Sequence, residues 1–165
     1  MMSNPLKVLR TNTGFTQEEI AHITGIPVKT IRNWEQNIRK PSEWTMNLVI
    51  DRILREKNEN LQIVDENSGV ISFLSIKKKI EEVVNDYSVN RVYLFGSYAK
   101  GEASEQSDID LFMESDLHGL EYYELIEKLR VKLNKKVEVL SNLTIDTSSK
   151  IDYEIKSTGI MIYER

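Results

Sequence analysis

Residues 93–114, YLFGSYAKGEASEQSDIDLFME, decide the reading of this chain. The apolar run ending at Phe95 reads as a buried strand, and Gly96-Ser97 then turns the chain sharply. A residue without a Cβ lets the backbone approach closely, so the amides that follow can face an anion, with the Ser97 hydroxyl as one more donor. Residues 98–107 form a return loop, in which Lys100 is a candidate phosphate contact, and a second strand opens at Asp108. Side chains alternate along a strand, so Asp108 and Asp110 leave one face while Ile109 and Leu111 enter the core. Two acids about 7 Å apart at the backbone can converge on metal ions, and paired ions clamp an in-line phosphoryl displacement. A lone Asp-x-Asp is ordinarily a solvated strand edge; the Gly-Ser turn before it sets this one apart. On a third strand, Val137 to Leu140, inward valines at 137 and 139 leave Glu138 pointing outward, toward the same site.

Around this segment helices and strands alternate. Residues 75–86 predict an amphipathic helix with Ile76, Ile80 and Val83 inward, and Lys77–Lys79 as a solvated face. Residues 119–134 predict another, with Tyr122, Ile126, Leu129 and Leu133 on one side. Residues 147–157 predict a third helix and Ile160 to Tyr163 a last strand. That order implies a small α/β sheet.

The chain before it is purely helical. Pro5 opens a helix that ends at Gly14, Thr16 and Glu19 have capping-box spacing for a second that stops at Gly25, a third follows Pro27, and Ser42 caps a fourth. Trp34 and Trp44 are expected in the core, His22 in solvent, and His118 in a loop with no ligand role. Residues 57–70 are polar, giving a division into a helical domain 1–57, a linker 58–71 and a mixed domain 72–165. Charge divides in the same way: residues 1–57 carry 9 Lys/Arg against 6 Asp/Glu, and the remainder 13 against 20. The chain of 165 residues has no cysteine, which excludes disulfides and thiolate metal sites. No apolar run reaches a membrane span and no secretory leader is visible, so a cytoplasmic protein is expected.

Gly-Ser, ten residues and Asp-x-Asp at a strand start resemble the signature of the polymerase-β-like nucleotidyltransferases. The ending IDYEIKSTGIMIYER (151–165) is similar to the minimal nucleotidyltransferase branch. The resemblance implies a mixed sheet with helices on one face, Mg²⁺, and nucleotidyl transfer from ATP. On the matching positions, Gly96 and Ser97 would bind the triphosphate and Asp108 and Asp110 the metal, with Glu138 where the family usually has its third carboxylate, an Asp. The segment TGFTQEEIAHITGIPVKTIRNWEQNIRKP (13–41) resembles the helix-turn-helix of the Xre/Cro family. That likeness puts Gln17 near a phosphate, Val28, Lys29, Thr30, Arg32 and Asn33 toward a DNA groove, and Arg39 and Lys40 on the backbone. The combined expectation is an α+β chain, a DNA-binding helical domain followed by a minimal nucleotidyltransferase. It would act as an antitoxin that adenylylates a HEPN-type toxin and binds its operator as a dimer. A non-catalytic binding antitoxin and repressor, and a nucleotidyltransferase of small molecules such as aminoglycosides, are the alternatives.

Overall fold

Local signals set the helical half. In the computed structural model, which describes residues 4–58 and 69–165, Pro5 occupies the first turn of α1 (Pro5–Thr13) and Gly14 caps its end. Thr16 and Glu19 close a reciprocal capping box on α2 (Gln17–Thr24), which Gly25 terminates. The recognition-type helix α3 (Val28–Glu35) follows Pro27, and the Ser42 side chain accepts from Thr45 N to start α4 (Glu43–Lys57). Leu6, Leu9, Ile20, Ile31 and Ile53 are fully buried among these helices. Glu35, itself buried, receives Arg10 at 2.6 Å and Gln17 Nε2 at 2.8 Å, tying α1, α2 and α3 together.

The apolar stripe of α4 leaves out Trp44, expected in the core. Val49, Ile50, Ile53 and Leu54 face inward at helical spacing. Trp44 and Leu48 lie on the other side, and Trp44 is 72% exposed. Trp34 is half-buried against the core. Most of the expected linker, residues 59–68, lies outside the described residues.

The second half is a mixed four-stranded sheet ordered β3-β2-β1-β4. Its elements run α5 (Phe73–Val84), β1 (Val89–Phe95), α6 (Gly96–Lys100), β2 (Ile109–Ser115), α7 (Gly119–Leu133), β3 (Val137–Ser141), α8 (Lys150–Thr158) and β4 (Ile160–Glu164). The central strand β1 pairs antiparallel with both β2 and β4, while β2 pairs parallel with β3. Alternation along β2 buries Ile109, Leu111 and Met113 in a cluster with Ile76 and Ile80 of α5 and Leu125, Leu129 and Leu133 of α7. Asp110, Phe112 and Glu114 alternate with them and are half-buried, and Tyr93 stacks on Phe112. Helix α5 starts two residues before the expected position, because Ser72 rather than Ser75 is its cap, and this buries Phe73. The residues expected as one return loop begin as the short helix α6.

Specific contacts join the two halves. The Asp51 carboxylate, buried on α4, accepts from Leu74 N in the first turn of α5 at 3.2 Å and from Arg55 at 2.5 Å, a favourable place for a negative charge. Asn12 donates to Ser157 O of α8 at 3.1 Å. Lys77, expected on a solvated face, is only 8% exposed. Its ammonium reaches Glu81 at 2.7 Å, Ile162 O at 2.7 Å and Glu43 of α4 at 3.3 Å. The run of three lysines hides this, because the burial comes from β4 and α4 rather than from the helix itself. Lys77→Met keeps the aliphatic stem but leaves the Ile162 carbonyl unpartnered, so a loss of about 1–3 kcal/mol is expected in urea unfolding.

Candidate functional site

The sheet brings together residues that lie far apart in sequence. Phe95, immediately before Gly96, is the register partner of Asp110 on one side, and Glu138 is its partner on the other. Phe95, Asp110 and Glu138 therefore sit abreast on β1, β2 and β3, with Gly96 just past the end of β1. Gly96 has φ +67°, and a Cβ built on it would lie 2.1 Å from Asp110 Oδ2. Both the backbone conformation and the space demand glycine here. Beyond it, α6 carries Ser97, half-buried, whose carbonyl accepts from Glu102 N at 2.9 Å.

Electrostatics single out Asp110. Its carboxyl is pushed up to about 6, first by burial and then by the charges of Glu138, Asp108 and Glu154, with Lys100 pulling the other way. Asp108 is half-buried at the foot of β2, and its Oδ2 lies 3.0 Å from Lys136 Nζ. Glu138 is exposed on the edge strand. Among the described residues no three carboxylate or imidazole groups converge as a ready-made cation site. The donor set nevertheless suits a hard divalent cation, since it offers only carboxylate oxygens. Asp110 is also a half-buried acid crowded by like charge, which a cation would relieve.

Lys100 closes α6 rather than standing in a free loop, and it is paired with Glu154 of α8 at 2.7 Å, which raises its pKa. Glu154 and Lys136 escape the sequence expectation. Lys136 was within reach of it, because strand alternation puts position 136 on the same face as Glu138. Glu154 was not, since its nearness to Lys100 comes from the packing of α8 on α6. His118 Nδ1 lies 2.9 Å from Asp116 O, and His22 is exposed.

The residues singled out for DNA lie on the helical half, away from these carboxylates in sequence and element. Lys29 and Arg32 of α3, and Arg39 and Lys40 beyond it, are exposed and form no ion pair among the described residues. Val28, Thr30 and Asn33 are half-buried on α3, and Gln17 is engaged with Glu35.

Residues 78–165 match the family described as polymerase beta, nucleotidyltransferase, and residues 6–45 match a helix-turn-helix family. The chain belongs to the polymerase beta nucleotidyltransferase family, with a helix-turn-helix segment before the family domain. Two proteins of Methanocaldococcus jannaschii named as protein adenylyltransferases are similar to it. One is 41% identical over 75 residues, covering 42% of this chain and 75% of that protein. The other is 36% identical over 72 residues, covering 42% and 84%. A crystal structure of a toxin–antitoxin with AMP-PNP is 25% identical with a TM-score of 0.48, covering 54% of this chain and 73% of that one. Among the described residues no helix is long and apolar enough to cross a membrane.

Two outcomes are expected from this geometry. Gly96→Ala should lower stability by about 2–4 kcal/mol through left-handed strain and overpacking. In an Asp110→Ala background the same change should be milder, because the nearest clash is with the carboxylate; equal penalties in a urea double-mutant cycle would contradict the close approach. The second outcome concerns pH. A folded-state pKa above the unfolded value of roughly 3.9 means that Asp110's contribution is present at acid pH and lost as pH rises through about 6. With chelator present, Asp110→Asn should leave the melting temperature unchanged near pH 4 and raise it by about 2–4 °C at pH 7.5, after discounting for partial exposure.

Proposed function

We propose that this chain transfers AMP from ATP to a hydroxyl of a protein acceptor, a HEPN-type toxin, and that its helical half binds operator DNA as a dimer. In that role it is a cytoplasmic antitoxin that also represses its own operon. The observation that carries the enzymatic part is the register that sets Asp110 and Glu138 side by side on β2 and β3, with the Gly96 turn at the end of β1 against Asp110. The relatives named as protein adenylyltransferases support a protein acceptor.

In the proposed reaction the acceptor oxygen attacks the α-phosphorus of ATP. The bond from that phosphorus to the oxygen bridging the β-phosphate breaks, and pyrophosphate leaves. Gly96 lets the Asp110 carboxylate approach the backbone of the turn, and Ser97 would offer a hydroxyl donor to the triphosphate. Lys100, released from Glu154, would offer a cation to the triphosphate. Asp108, Asp110 and Glu138 would hold Mg²⁺, which when bound supplies neutralisation of phosphate charge. Glu138, on the exposed edge strand, is the candidate to take the acceptor's proton. For DNA, Lys29, Arg32, Arg39 and Lys40, none of which forms an ion pair among the described residues, would neutralise phosphates and position α3. Gln17, Val28, Thr30 and Asn33 complete the proposed surface.

One observation favours a binding-only antitoxin: Lys136 already occupies Asp108, so one proposed ligand is committed to a protein cation. Incubation with Mg²⁺, α-labelled ATP and the HEPN protein separates the two. Label on an acceptor hydroxyl, lost in Asp110→Asn, is the expected result. Neutralisation of the toxin by wild type and by Asp110→Asn alike, with no label transferred, would replace it with the binding-only role.

A further inference from the structure

Among its contacts with the second half, the helical half reaches the chain between the Gly96-Ser97 turn and Asp108. Helix α1 packs against α6 and α8. The last turn of α4 lies against Gly101, whose φ is +71° and whose added Cβ would meet Lys57 Cγ at 2.8 Å and Lys57 Cβ at 2.9 Å. One residue on, Asn58 ends α4 and is buried. Its Nδ2 donates to Ala103 O at 2.6 Å, and Ala103 is buried as well. This hydrogen bond spans 45 residues of sequence and is sealed from water, so the carbonyl has no easy replacement for it.

Besides Asn58, residues 101–107 are held by Lys135, whose Nζ donates to Glu105 O at 2.9 Å. Glu102 N reaches back to Ser97 O at 2.9 Å, and Ser104 and Ser107 bond to each other. The segment ends at Asp108, which Lys136 holds. The sheet register sets the turn beside Asp110, and the anchor at Ala103 fixes the middle of the path from that turn to Asp108, without touching either end.

Resting on the nucleotidyl-transfer proposal above, we infer that Asn58 is a positioning residue for that site. Through Ala103 it fixes the path from Ser97 to Asp108, so the end of the helix-turn-helix half is a working part of the catalytic half. A tether of this kind acts on nucleotide binding and on the rate of transfer through geometry, not through charge.

The test uses the full chain. Asn58→Asp keeps size and shape but presents oxygen to an oxygen, and Asn58→Gln restores a donor on a longer arm. Binding of a non-hydrolysable ATP analogue with Mg²⁺ is measured by calorimetry, beside the melting temperature and backbone hydrogen exchange. Asn58→Asp should weaken nucleotide binding about tenfold, the loss of one buried hydrogen bond. It should also speed exchange at residues 101–107 while α7 keeps its protection, and Asn58→Gln should recover part of both. Wild-type affinity in a folded Asn58→Asp would overturn the inference alone. So would weakened binding accompanied by faster exchange throughout the chain, which marks a general loss of stability. Failure of the wild type to bind the analogue would overturn the nucleotidyl-transfer proposal itself, and this inference with it.

Discussion

The closest constraint in the molecule is the approach of Asp110 to the backbone of Gly96, where any Cβ would lie inside the carboxylate's van der Waals radius. That approach fixes the register of β1 against β2, because sliding the strands by one residue would turn Asp110 into the core and Ile109 out of it. Register in turn sets Glu138 opposite Asp110, and the parallel pairing of β3 follows from the crossover through α7. The proposed site is thus a product of how the sheet is assembled, with one glycine as its tightest point.

A cost accompanies the arrangement. Asp110 is held half-buried among Glu138, Asp108 and Glu154, with the Lys100 ammonium opposing their effect. A protein selected only for stability would not gather these groups, and perturbed acids of this kind are a mark of functional sites. Lys136 and Lys100 temper the repulsion, each by pairing with one of the surrounding acids.

Much of this was legible in the sequence. The turn at Gly96, the acids at 108 and 110, and the caps at Thr16 and Ser42 are local signals, set by residues a few positions apart, and the structure carries each of them. What escaped depends on partners far away in sequence. Trp44 reads as core by its composition, yet the stripe through Val49 and Ile53 turns it outward. Lys77 reads as solvated, yet β4 and α4 enclose it. Glu154 carries no local mark, and only the docking of α8 brings it to Lys100. The polar stretch after residue 57 marks a boundary but carries no sign of packing across it, and Asp51, Asn58 and Lys77 bond across the junction.

The place of β3 at the edge of the sheet has one more consequence. A carboxylate on an inner strand is confined by neighbours on both sides, and a longer side chain there would have to displace them. Glu138 faces an uncovered border, so the extra methylene relative to aspartate extends into open space without repacking any core. Position 138 therefore has steric freedom that position 110 lacks: reach can be adjusted at the border strand while the inner acid stays locked to its glycine.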